Sequence, residues 1–302
     1  MATKRILIVD DEQTQVEALA KKLREKFPDA IIVTANEEED IKDKVENSFY
    51  NLLILDIRMD KYQTDGIQLA KIAKEYNPFA KVLFVSRFLA EYLPEIKELM
   101  LDGYILDFSE KEAYNTWLPK LSSVIQKYYD DLEENPSQVS NALIDYYAEA
   151  KNEVDTYKKG TAFENLISLL LKDIGFEQIT KRSKDPALNE IDLIVRNDIQ
   201  DCFLEKFGKY IFIECKNKPS TKTNKNDLIV FLSKIQHSHG MAELGILFTT
   251  SAITRNARIQ LAMDAKSSTK IIIIDNILME RLLTAVDIKD TFKKIIDEQV
   301  TE

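Results

Sequence analysis

Three apolar runs near the N-terminus each stop abruptly on a polar side chain, and they constrain this chain more than any other feature. They are Ile6-Leu7-Ile8-Val9 before Asp10 and Asp11, Leu52-Leu53-Ile54-Leu55 before Asp56, and Val82-Leu83-Phe84-Val85 before Ser86. An aliphatic run without polar alternation must be covered on both faces, as a parallel strand between helical layers is. In an open α/β sheet, sites form at the carboxyl ends of the strands. Two strands therefore deliver three carboxylates to one edge, and the third delivers a hydroxyl. Such a cluster repels itself unless a cation sits in it, and an all-oxygen donor set suits Mg2+.

The rest of the first half fits this arrangement. Strands are expected at 5–9, 30–34, 52–56, 81–85 and 103–106, with helices near 13–27, 37–47, 65–76, 91–100 and 112–129. Five β/α repeats imply a doubly wound parallel sheet over residues 1–127. The last helix runs on: Trp117, Leu121, Val124, Ile125, Tyr128 and Leu132 form an apolar stripe, interrupted at Asn135-Pro136-Ser137. Beyond it, Val139, Leu143, Tyr146, Ala150 and Val154 repeat at near-heptad spacing. Two readings of the 128–157 linker stay open, a helix packed on its own domain or a dimerising coiled coil. Residues 158–302 form a second α/β domain. Its expected elements are a helix at 161–174, strands at 190–196, 210–216 and 244–249, helices near 226–238 and 254–265, an apolar strand Ile271–Ile274, and helices to the end.

The chain has 302 residues, 45% of them hydrophobic and 30% charged, as expected of a folded protein of about two domains. No run approaches a membrane span, and the first 25 residues lack the pattern of a signal peptide, so a cytoplasmic protein is expected. Cys202 and Cys215 are the only cysteines, which gives neither a disulfide framework nor a zinc pattern. Charge is uneven. Residues 1–150 carry 18 Lys and Arg against 29 Asp and Glu, and residues 151–302 carry 23 against 22. The first half repels nucleic acid over most of its surface, whereas the second can present a local basic face.

Asp10, Asp11 and Asp56 with Ser86 resemble the receiver domain of bacterial response regulators over about residues 3–127. The resemblance implies a flavodoxin-like (βα)5 fold. It makes Asp56 the acceptor of a phosphoryl group from a cognate histidine kinase or a small phosphodonor. Mg2+ would be held by Asp10, Asp11, Asp56 and the Arg58 carbonyl, and Ser86 would swing toward the phosphoryl oxygens. A carboxylate is a competent phosphoryl acceptor, and the metal neutralises developing charge. One position departs from the family. Where a lysine normally ends strand five, Gly103-Tyr104-Ile105-Leu106-Asp107 aligns Asp107, leaving Lys111 four residues on to reach back.

In the second half, Ile211-Phe212-Ile213-Glu214-Cys215-Lys216 places a carboxylate and an ammonium on one face of an apolar strand. Upstream, Glu190-Ile191-Asp192-Leu193-Ile194-Val195 puts another acid into an apolar strand, where an unpaired acid is costly. Asp192 followed by Glu-X-Lys resembles the PD-(D/E)XK nuclease core. With Gly160-Thr161-Ala162-Phe163-Glu164, Phe248-Thr249-Thr250-Ser251 and Asn256-Ala257-Arg258, residues 158–285 look like the Mrr-type, restriction-endonuclease-like family. The resemblance implies Mg2+, or Mn2+, on Asp192 and Glu214, with Lys216 orienting the attacking water and Glu164 adding a contact from the first helix. Thr161 to Glu164 is also a capping-box pattern, in which Glu164 would merely reach back to the helix start. Lys218, Lys222 and Lys225, with Lys181, Arg182 and Lys184 in an earlier loop, are candidates for DNA-backbone contact. His237 and His239 read as surface residues. Together these features imply a receiver-controlled, metal-dependent DNA endonuclease that pairs as a homodimer to cut both strands. The alternative is an inactive nuclease fold that binds DNA or a protein under receiver control, or a receiver serving only to dimerise the chain.

Overall fold

The computed structural model describes residues 4–48, 50–101, 103–111, 114–134, 137–184, 190–236, 242–264 and 270–301. The chain divides into two compact units, Met1–Val139 and Ser140–Glu302. Among the described residues, no helix is long and apolar enough to cross a membrane.

In the first unit, strands β1 (Arg5–Val9), β2 (Ile31–Ala35), β3 (Leu52–Leu55), β4 (Lys81–Ser86) and β5 (Ile105–Glu110) form one parallel sheet in the order β2-β1-β3-β4-β5. Helices α1 (Gln13–Lys26), α2 (Glu38–Asn47), α3 (Gly66–Tyr76), α4 (Leu93–Leu101) and α5 (Tyr114–Glu134) connect and cover it. Leu7, Leu53 and Phe84 pack on one face, and Ile8, Ile54 and Leu83 on the other, which is why these runs show no polar alternation. The strand order reverses between β1 and β3, so Asp10 and Asp56 emerge from adjacent strands at the switch point. The Asp56 N–H donates to Val9 O at 3.0 Å and fixes that adjacency.

Strand five differs from the expectation of 103–106. Its register shifts between Val82↔Ile105 and Leu83↔Asp107, and pairing then continues to Ser86↔Glu110. This irregularity takes up Leu106, and the strand runs through Asp107 to Glu110. A polar tail is tolerated because β5 lies at the sheet edge, where Asp107 and Phe108 are only half-buried. Asp107 accepts a bond from the Phe108 N–H at 2.8 Å. The residue that directly follows strand five is Lys111, whose N–H donates to Ser86 O at 3.1 Å. The alignment of Asp107 with the family's lysine is thereby corrected.

The expected linker 128–157 is shared between the units. Helix α5 continues to Glu134, and Trp117, Leu121, Ile125, Tyr128 and Tyr129 bury against α1 and the first sheet. The Tyr128 hydroxyl donates to Asn51 O at 3.1 Å. Helix α6 (Ser137–Asn152) buries Leu143, Tyr147 and Ala150 in the second unit, the Tyr147 ring lying 6.3 Å from that of Phe163. This helical face is packed within the second unit. Val154, placed on the heptad stripe, is 93% exposed, and the Val139 side chain lies outside the described residues.

The second unit holds a mixed sheet in the order β10-β9-β8-β7-β6. Strands β8 (Tyr210–Lys216), β9 (Ala242–Thr249) and β10 (Lys270–Ile274) are parallel, and β6 (Ile179–Lys184) and β7 (Glu190–Arg196) form an antiparallel extension. Helices α7 (Thr156–Ile174), α8 (Lys225–Gln236), α9 (Arg255–Asp264), α10 (Asn276–Leu283) and α11 (Ile288–Thr301) surround it. Helix α7 starts five residues before the expected 161. Its N-cap is Asp155, which accepts the Lys158 N–H at 2.9 Å. Thr161 and Glu164 are therefore interior helix positions, and the capping-box reading of Glu164 is overturned. The helix ends at Gly175, whose φ of 118° provides the left-handed cap for the Leu171 and Lys172 carbonyls.

Candidate functional site

Strand order alone brings the first cluster together. Asp10 and Asp11 follow β1, Asp56 follows β3, and Lys111 follows β5. The Lys111 ammonium donates to Asp10 Oδ2 and to Asp56 Oδ2, the latter at 2.5 Å. Their side chains are 12%, 7% and 13% exposed, so this is a largely desolvated triad. Burial pushes the Asp10 carboxyl above its ordinary pKa despite the opposing Lys111 charge. Burial also pulls the Lys111 ammonium down, but the charges of Asp56 and Asp10 outweigh it and hold the group above its usual range. Asp10 Oδ1 accepts the Glu12 N–H at 2.9 Å, and Asp11 Oδ2 accepts the Lys61 N–H at 3.1 Å. Lys61 Nζ donates to the Asp11 carbonyl at 2.6 Å.

The loop after Asp56 has little freedom. Gly66 opens α3 against the backbone, and a Cβ there would lie 2.2 Å from Asp56 O and 2.7 Å from Ile57 Cα. The Gly66 N–H donates to Ile57 O at 2.7 Å. The Arg58 guanidinium sits 4.3 Å over the Phe88 ring and pairs with Asp60 at 2.7 Å. Ser86 is fully buried, and its hydroxyl accepts the Phe88 N–H at 3.4 Å. Beneath the acids, a small cleft is lined by Asp10, Asp56, Lys111 and the chain's single tryptophan, Trp117.

Antiparallel pairing makes the second cluster. Leu193↔Ile213 pairs β7 with β8, which sets Asp192 beside Glu214 one residue further along. The beginning of β7 thus meets the end of β8, where Glu214 and Lys216 emerge. Asp192 Oδ2 accepts the Cys215 N–H at 2.7 Å. Burial first, then the Glu214 charge, raises the Asp192 carboxyl to about 6, with Glu164 adding to the rise. Glu164, half-buried on α7, is thus close enough to share its field with Asp192. Burial and the surrounding carboxylates raise the Cys215 thiol well above its ordinary value, which keeps it protonated.

Glu214 is 1% exposed and held by two lysines. Lys216 Nζ donates to Oε1 at 2.6 Å, and Lys234 Nζ donates to Oε1 at 2.9 Å and Oε2 at 2.7 Å. Sequence reading missed Lys234. Its one signal was a lysine on the sheet-facing side of α8, three residues after the buried Phe231 and beside the buried Ile235. Asn217, next to Lys216, donates to Ala150 O at 2.8 Å and Lys159 O at 2.9 Å and accepts from Thr250 Oγ1 at 3.1 Å. The strand end is thereby tied to α6 and α7. Thr223, Thr249 and Ser251 share a buried hydroxyl network of 2.7 to 3.3 Å that holds the following loops together.

The basic candidates separate. Lys222 and Lys225 are exposed, and Lys218 pairs with Asp227 at 3.0 Å. Lys181 lies on strand β6, where a loop was expected, and donates to Asn165 Oδ1 at 3.1 Å. The side chains of Arg182 and Lys184, and all of His237 and His239, lie outside the described residues. No group of three His, Cys, Asp or Glu side chains is gathered as a ready metal site among the described residues.

Residues 6–112 match the family model of the response regulator receiver domain, and residues 158–283 match that of a restriction endonuclease. The chain fuses a receiver domain to a restriction-endonuclease-type domain. Several solved structures are similar to part of the chain. A response regulator from Thermotoga maritima in complex with Mg2+–BeF is 25% identical, covers 40% of this chain and 98% of its own, and has a TM-score of 0.33. A receiver protein from Pseudomonas putida is 24% identical over 42% of this chain and 98% of its own, with a TM-score of 0.35. A receiver domain protein from Methanospirillum hungatei is 25% identical over 45% and 98%, also with a TM-score of 0.35. No curated protein matches the chain.

Proposed function

We propose that this protein is a two-component response regulator whose output is metal-dependent hydrolysis of DNA phosphodiester bonds. The observation that carries the hydrolase reading is the meeting of Asp192 and Glu214 across β7 and β8, with Lys216 on the same strand end. Asp192 lies across from Glu214 and shares the field of Glu164, which makes an all-oxygen donor set. That donor set fits Mg2+ or Mn2+. A bound divalent ion supplies an acidified water and a counter-charge for the phosphate. Asp192 and Glu214 would hold it, with Glu164 adding a further acid, and Lys216 would orient the attacking water and offset charge on the phosphoryl oxygens. Lys218, Lys222, Lys225, Lys181 and Arg182 take the DNA backbone.

In the receiver, Asp56 accepts the phosphoryl group from a histidine kinase or a small phosphodonor. Asp10, Asp11 and Asp56 supply an all-oxygen set for Mg2+ there. Lys111, already on Asp56, holds a phosphoryl oxygen, and Ser86 closes on another. Two chains pair so that both DNA strands are cut. The 1–127, 128–157 and 158–302 division serves as input, connection and output.

Plasmid cleavage in Mg2+ or Mn2+, with and without acetyl phosphate, tests the reading. Wild type should nick DNA, and Asp192→Ala and Lys216→Ala should each lose about a thousandfold or more. Labelled acetyl phosphate should mark wild type but not Asp56→Ala. Trp117 fluorescence should shift when beryllofluoride and Mg2+ bind. A second reading has its own support, because both oxygens of Glu214 are engaged by lysines, as in a structural ion pair. On that reading the second domain only binds DNA or a protein. DNA binding equal in wild type and Asp192→Ala, with no cleavage in any metal or phosphorylation state, would establish it.

A further inference from the structure

Lys234 has no part in the Glu-X-Lys pattern, yet it makes more bonds to Glu214 than Lys216 does. It contacts both carboxylate oxygens, and with Lys216 also on Oε1 three of the four lone-pair positions are occupied. It is also held in place. Its side chain is 14% exposed, and its neighbours Phe231 and Ile235 are buried on β9. Gly245 is what lets α8 come so near. A Cβ there would lie 2.2 Å from Ile235 Cδ1 and 3.0 Å from Phe231 Cζ. The ammonium therefore occupies both Glu214 oxygens, which a divalent ion would have to share.

We propose that Lys234 is a resident cation that a divalent metal must displace from Glu214, a positioning residue that sets how tightly the second site takes metal. The inference rests on the metal-dependent reading of that site. It gives Lys234 two effects. Without metal, it keeps a buried carboxylate compensated beside Asp192 and Glu164. With metal, the same charge opposes entry. Removing it weakens the metal-free state and relieves repulsion in the metal-bound state, so both effects tighten binding.

Calorimetric titration of the full chain with Mn2+, in an Asp11→Asn background that silences the receiver cluster, tests this. Lys234→Met keeps the aliphatic stem and removes the charge. It should bind Mn2+ about tenfold more tightly than its parent, the worth of one charged hydrogen bond. Lys234→Gln, a milder change that keeps a donor, should shift in the same direction by about threefold or more. Lys234→Arg should stay near the parent. Adding Asp192→Ala should abolish the binding in every case. Unchanged or weaker Mn2+ affinity in both Lys234→Met and Lys234→Gln, with Asp192-dependent binding intact, overturns the role of Lys234 and leaves the hydrolase reading standing. Absence of Asp192-dependent binding in the parent and both variants overturns both.

Discussion

In the first unit one ammonium serves two carboxylates on neighbouring strands, whereas in the second two ammoniums serve one carboxylate. Lys111 spans Asp10 and Asp56, and Lys216 and Lys234 converge on Glu214 while Asp192 is held by a backbone N–H. The parts are alike, and each cluster sits at a strand end under little solvent. What differs is where the compensating charge goes. The first cluster shares one ammonium between the two acids. The second leaves Asp192 under-compensated and Glu214 over-compensated. Burial, and then the Glu214 charge, raise the Asp192 carboxyl to about 6.

The largest expected effect follows from breaking the first balance. Lys111→Met strands two buried acids and should destabilise the first unit by about 3 kcal/mol or more. Lys234→Met leaves Lys216 on Glu214 and should cost about half as much. Urea unfolding in metal-free buffer compares them, and equal losses would erase the distinction between the clusters. Gly66→Ala should rank beside Lys111→Met. Its Cβ would collide with the backbone of Asp56 and Ile57, which cannot give as a side chain can, and should cost about 3 kcal/mol. Gly245→Ala meets the flexible end of Ile235 and should cost less, about 1–2 kcal/mol. It should also draw Lys234 away from Glu214.

Asp192→Asn should stabilise the second unit. An acid whose pKa is higher in the folded chain than in the unfolded one costs stability once the pH passes the unfolded value. For Asp192 that cost grows from near pH 3.8 and is complete above about 6. The amide removes it while its carbonyl still accepts the Cys215 N–H. The gain should be about 3 kcal/mol at pH 7.5 and nearly vanish at pH 3.5. A gain that does not change with pH would place its origin elsewhere. Asn217→Ala should cost about 1–2 kcal/mol, in the range of Gly245→Ala, for loss of the ties to Ala150, Lys159 and Thr250.

Much of this was legible in the residues themselves. Aliphatic runs ending on acids can be stable only inside a covered parallel sheet, so Asp10, Asp11, Asp56 and Ser86 could be assigned to one edge before any coordinates. Asp192, Glu214 and Lys216 were readable for a related reason, since an acid on an apolar strand needs a partner. Strand five was misread because its apolar run ends at Leu106, while the hydrogen bonds continue through a half-buried edge where polar residues cost little. Glu164 was ambiguous because a capping box is a local pattern, and only the start of α7 at Thr156 shows it to be internal.

The sequence by itself determined two α/β domains, the identity of the acids, and the strands that carry them, because burial periodicity and the cost of desolvated charge act locally along the chain. The tertiary structure alone decided which ammonium answers which carboxylate. Lys111 reaches Asp56 across 55 residues and Lys234 reaches Glu214 across 20, and those pairings depend on a register shift in β5 and on α8 settling against Gly245. Coulombic compensation depends on distance in space, and no spacing in the sequence encodes that distance.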